Sequence, residues 1–165
     1  MIRRAVAFAT ACFAALTGPA HALSCMRPSP VNSFVEFNTR DDTYVMLYGA
    51  LSFDGDAVPP HTETADGMSR ADVTFTARFD GMGAAMDGFT VPVDADITVT
   101  ETCLGVWCAR LPADQLVLIF AAQSPDGTLS VSEGPCAFAV LPHVSEAQLD
   151  QAIACMNGKT CEAEY

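Results

Sequence analysis

Residues 103–136, CLGVWCARLPADQLVLIFAAQSPDGTLSVSEGPC, decide the fold class of this chain. Cys103, Cys108 and Cys136 bracket an apolar run at 116–122. Pro125, Asp126 and Gly127 follow, and then a second, alternating run at 128–132. The apolar run is long enough for a buried strand, and the Pro-Asp-Gly turn supplies the backbone angles of a tight reversal. The stretch therefore predicts a β-hairpin tied at its base by sulfur.

Working outward, residues 43–53 read as a strand rich in β-branched and aromatic side chains, with Gly49 inside it as the mark of a bulge or sharp bend. Residues 54–69 form a polar loop long enough to be either mobile or functional. In 70–79, Val73, Phe75, Ala77 and Phe79 alternate with Asp72, Thr74, Thr76 and Arg78, the pattern of a half-buried strand. Residues 80–88 read as a glycine-rich turn. A further strand at 89–102 carries Val91, Val93, Ala95, Ile97 and Val99 on one side and Asp94, Asp96, Thr98 and Thr100 on the other.

Upstream, Cys25, Pro28 and Pro30 hold an extended flap. Residues 31–38 are open to helix or strand, and Phe34 with Phe37 on one helical face favours helix. Downstream, 137–141 read as a short strand stopped by Pro142. Ser145 and Gln148 make a capping box for a helix over 147–156, which Asn157-Gly158 ends. The expected fold is mainly β: a small five-stranded OB-like Greek-key barrel, closed or partly open, with a pinned N-terminal flap and a C-terminal helix.

The first residues read as a targeting segment. Arg3 and Arg4 precede an apolar stretch, and Ala20-His21-Ala22 is a small-x-small cleavage site, so residues 1–22 are assigned as a signal peptide and 23–165 as one domain. Cleavage after Ser24 is the alternative and leaves Cys25 first; a lipid anchor at Cys25 is disfavoured because Ala22 stands where such signals carry Leu. Export to a periplasmic or secreted location follows, and no stretch reaches the length of a membrane span. Removing Cys12 with the signal leaves Cys25, Cys103, Cys108, Cys136, Cys155 and Cys161, an even set that reads as disulfides. The spacings lack the close pairs of a zinc site. With Arg3 and Arg4 gone, six basic residues face twenty acidic ones, a formal charge of −14 that excludes nucleic acid and anionic lipid as partners.

The order of these landmarks resembles the netrin-module superfamily, which includes the inhibitory domain of tissue inhibitors of metalloproteinases. The resemblance rests on Cys25-x-x-Pro28-x-Pro30, Tyr48-Gly49-Ala50-Leu51, Cys103-x-Gly105, the apolar run 116–121, Gly127-x-Leu129 and Cys136. It implies an OB barrel and the pairing Cys25–Cys103, with Cys108–Cys136 and Cys155–Cys161 as the remainder. It also implies that Cys25, as a mature first residue, would chelate a target protease's zinc. Here Met26-Arg27 stands where the family usually has a second cysteine.

Catalysis is not expected. His61 and His143 are the histidines left after processing, the cysteines are committed to bridges, and neither G-x-S-x-G nor H-E-x-x-H occurs. No cofactor is expected either. The function indicated is a binding module for a protein partner, possible protease inhibition included, with Cys25, Met26 and Trp107 as contact residues. Trp107 also reads as a cover for a disulfide. The competing function is a periplasmic metal-binding factor. For copper the ligands would be His61, Met68, Met82 and Met86. For calcium they would be the carboxylates Asp94 and Asp96, which read equally as a solvated face. Asp54 and Asp56 flank Gly55 in a turn.

Overall fold

A computed structural model describes residues 23–162; the expected signal peptide, residues 1–22, lies outside the described residues. Helix α1 spans Pro30–Asn38. Ser29 caps it, its Oγ accepting from the Asn32 N–H at 3.1 Å, and Pro30 occupies the first turn, where a missing N–H costs nothing. The strands are β1 (Tyr44–Ser52), β2 (Val73–Ala85), β3 (Gly88–Glu101), β4 (Cys103–Leu104), β5 (Trp107–Cys108), β6 (Gln115–Gln123), β7 (Leu129–Glu133) and β8 (Val140–Pro142). Helix α2, Glu146–Met156, opens on the Ser145/Gln148 capping box.

Strand β1 pairs antiparallel with β2, β2 with β3, β7 with β6, and β6 with β1, while β3 and β7 run parallel. The ring is closed, and its five strands follow the OB order. Strand β8 adds to the edge of β6 beyond the reach of β7. Leu51, Phe79, Ile97, Val99, Val117 and Ile119 fill the interior and are fully buried. Phe120 faces the helices instead, its ring 5.2 Å from that of Phe37 on α1 and nearly parallel to it.

Four expectations need correction. The 116–132 hairpin is paired over two residue couples only, Ala122 with Ser130 and Gln123 with Leu129. Beyond them β7 leaves its neighbour and runs along β3, because closing the ring requires one strand to bridge β6 and β3. The stretch 80–88 is no turn: β2 continues to Ala85, and the reversal falls at Met86-Asp87. The bridges are Cys25–Cys136, Cys103–Cys108 and Cys155–Cys161, so two of the implied pairings are exchanged. A reversal at Gly105, with φ +62°, sets Cys103 directly opposite Cys108 on β4 and β5, which leaves Cys136 for the flap.

Gly49 marks no bulge; the register shift lies between Gly83 and Ala84. It is required by close approach. Gly49 pairs with Gly81 across β1 and β2, and a Cβ on Gly49 would lie 2.6 Å from the Gly81 Cα. The Phe79 ring covers both glycines, 2.9 Å from either such Cβ. Neither backbone can retreat without opening the barrel. Gly49→Ala is expected to lower stability by about 1–3 kcal/mol, the usual cost of overpacking, read from the urea midpoint.

Candidate functional site

At the end of the barrel where β3 and β7 terminate, two carboxylates are buried side by side. Glu101 and Glu133 are in-register neighbours on the parallel strands, each 4% exposed. They take the inward parity of Val99 and Val131, so their charges point where an apolar side chain would normally sit. Such burial is tolerated only with donors at hand.

Glu101 finds them in two segments. Its Oε1 accepts from the Leu111 N–H at 2.8 Å, and its Oε2 lies 3.1 Å from His61 Nε2. The side chains of His61 and Glu101 are 2% and 6% exposed. The other ring nitrogen, Nδ1, is 2.9 Å from the Ala71 carbonyl oxygen. The ring thus spans two acceptors, a backbone carbonyl at one nitrogen and a carboxylate at the other. Glu133 is satisfied by backbone: Gly134 and Phe138 donate to Oε1 at 2.9 and 3.0 Å, and Val140 donates to Oε2. Burial nevertheless dominates and pushes the Glu133 carboxyl above its ordinary range, against the pull of those N–H groups.

These bonds position the surface above them. His61 anchors the long loop, which is folded rather than loose: Glu63 bridges Arg70, and the Thr64 hydroxyl contacts Asp66 and Ser69. The Arg70 N–H donates to the Gly105 carbonyl at 2.9 Å, joining the loop to the β4–β5 hairpin. Met68, Leu104, Val106 and Trp107 stand exposed on these two segments, Trp107 by 49%. Trp107 is therefore a half-exposed side chain on a braced hairpin. The Cys25–Cys136 bridge pins the flap just past Glu133, and a cleft of about 140 Å³ lies between the 108–112 segment and the segment that carries Glu133 and Pro135. Cys25, Met26 and Trp107 thus belong to one end of the barrel, and Met26 is exposed.

The proposed copper ligands are not brought together. His61 is buried beside Glu101, at the level where β2 begins, whereas Met82 and Met86 sit at the far end of the β2–β3 ribbon. Nine residues of β2 separate Val73 from Met82, about 30 Å of strand. Arg78 reaches across from β2 to both Asp94 and Asp96, which accounts for that carboxylate pair without an ion. The Asp56 N–H donates to Asp54 Oδ1 at 3.0 Å, a local turn bond. His143, with φ +58°, lies exposed after β8. Among the described residues no helix is long and apolar enough to cross a membrane.

Comparison with protein-family models, with curated proteins and with solved structures finds no match for this chain.

Glu133 makes stability depend on pH in a particular sense. Because its folded-state pKa is raised, its contribution is full below the unfolded carboxyl range and is lost as pH rises through the folded value. The stability gap between wild type and Glu133→Gln should therefore be larger at pH 4 than at pH 7, measured by urea unfolding at both. Glu101→Leu should cost about 3–5 kcal/mol in the same assay, since it strands a buried imidazole and the Leu111 N–H.

Proposed function

We propose that this chain is an exported, non-catalytic binding domain that recognises another protein through the barrel end bearing Trp107. The observation that carries the reading is the exposed set Met68, Leu104, Val106 and Trp107, held on two segments hydrogen-bonded to each other and braced by the Cys103–Cys108 bridge. Aromatic and aliphatic anchors on a pre-ordered support give a partner apolar area at little entropic cost. The net negative charge of the chain favours a partner with basic flanks. Export is supported by three disulfides, which persist in oxidising compartments.

The likeness to netrin modules is supported by the OB strand order and by a flap bridged to the barrel, and it nominates a metalloprotease as one partner class. The bridge from Cys25 to Cys136 rather than to Cys103 departs from what that likeness implies. The copper and calcium readings receive no support from the placement of their ligands.

A photo-crosslinking side chain at position 107, in the exported fraction of the native cell, should capture one defined protein. The same group at Thr98, on the exposed outer face of β3, should capture none. Trp107→Ala should then weaken the purified complex by about tenfold or more, with an unchanged melting temperature. Equal capture from both positions, or from neither, would remove the reading. A panel of metalloproteases left fully active by the purified protein would remove inhibition alone.

A further inference from the structure

We infer that the Cys103–Cys108 bridge masks a metal site: reduced to two thiols, it joins His61 Nδ1 in holding one d10 cation of the Zn2+ type. The inference shares the Cys103–Cys108 bridge with the partner surface but does not rest on a partner, and it uses none of the methionines considered above.

Among the described residues, His61, Cys103 and Cys108 are the one group of three such side chains whose ligand atoms converge, all within 4.8 Å of one another. His61 Nδ1 lies 3.3 Å from Cys103 Sγ, and the Ala71 carbonyl oxygen lies 3.6 Å from the same sulfur. Ligands of a tetrahedral Zn2+ at about 2.0–2.3 Å from the metal stand roughly 3.3–3.8 Å apart, a range that the His61–Cys103 and Ala71–Cys103 spacings already meet, while the two sulfurs, bonded to each other here, part on reduction. Two thiolates and an imidazole suit a soft or borderline cation, and the Ala71 oxygen or a water completes the shell.

A second feature points the same way. The ring nitrogen remote from the sulfurs, Nε2, faces the buried Glu101 carboxylate at 3.1 Å. Metal-bound histidines are oriented in this manner, with the non-ligating N–H given to a carboxylate that fixes the ring and raises its basicity. Glu101 is itself held by the Leu111 N–H, so the imidazole is already aimed. Position along the chain gives no hint of this, because 42 residues separate Cys103 from His61.

The exchange balances with a dithiol reductant. Its two thiols pass two electrons and two protons to the Cys103–Cys108 bond and leave as a disulfide, freeing both cysteines. The cation then binds as the thiol protons pass to solvent, with the imidazole in the tautomer that keeps its N–H on Nε2 and offers the Nδ1 lone pair to the metal. In the reverse direction a small disulfide takes the two electrons from the thiolates and two protons from solvent, leaves as a dithiol, and the cation departs as the Cys103–Cys108 bond re-forms.

The test uses the described protein reduced by a dithiol, freed of reductant without air, and titrated with Co2+ as a spectroscopic stand-in for Zn2+. Near-ultraviolet circular dichroism follows folding throughout. One Co2+ per chain is expected, with thiolate charge-transfer and tetrahedral d–d absorption that added Zn2+ abolishes. The oxidised protein should show neither. Glu101→Gln should weaken Co2+ binding by about 10–100-fold, as loss of an orienting carboxylate does, and His61→Gln by at least as much. The double variant Cys103→Ser, Cys108→Ser, reduced in the same way, should show no bands. Bands that survive in the double variant would assign the cation to other thiols and overturn the inference. So would a reduced wild type without bands, whether it stays folded or unfolds when the bridge opens.

Discussion

Two glutamates buried side by side at the close of β3 and β7 set the terms for one whole end of this molecule. An apolar pair there would cap the barrel and ask nothing of its surroundings. Carboxylates need donors, and the donors come from segments that otherwise have little reason to be near. Glu101 draws in the long loop through His61 and the return to β6 through Leu111; Glu133 gathers the backbone of 134–140. The hairpin, the flap and the exposed apolar tip inherit their places from those bonds.

The barrel itself is held by a more ordinary logic. Antiparallel pairing accounts for most of the ring, and the parallel contact of β3 with β7 closes it. Where β1 and β2 crowd together, two facing glycines let the backbones meet and the Phe79 ring supplies the missing side-chain volume. The β2–β3 ribbon outruns the core, so the apolar face that is fully buried at Ile97 and Val99 is half exposed by Val91. An apolar cavity of about 480 Å³ opens along that face, lined among others by Phe34, Met46, Val91 and Val93.

Much of the architecture was legible in the sequence. Alternation placed β2 and β3, the apolar run placed β6, and Ser145 with Gln148 placed the start of α2. Glycine density misled at 80–88 because glycine serves close packing inside a strand as well as reversal; Gly81 and Gly83 do the former. The sulfur pairing was misread because it depends on the local reversal at Gly105, which spacing does not reveal. Of the site, Trp107 and the flap could be singled out, but the carboxylates went unnoticed. Their signal is parity: Glu101 continues the inward series of Ile97 and Val99, and Glu133 that of Leu129 and Val131. A charge on a buried face is the mark of a partner brought from elsewhere, and here that partner, His61, stands 40 residues away.

The bridge from Cys25 to Cys136 spans 111 residues and encircles nearly the whole barrel. In chain-entropy terms it contributes about 4–5 kcal/mol. It also runs against the order of synthesis. Cys25 leaves the ribosome well before Cys103 and Cys108, and joining thiols as they emerge would couple it to Cys103. The native partner becomes reachable only after β7 has found β3. Maturation of this chain thus calls for an oxidant that waits, or for an isomerase that undoes the first, premature bond.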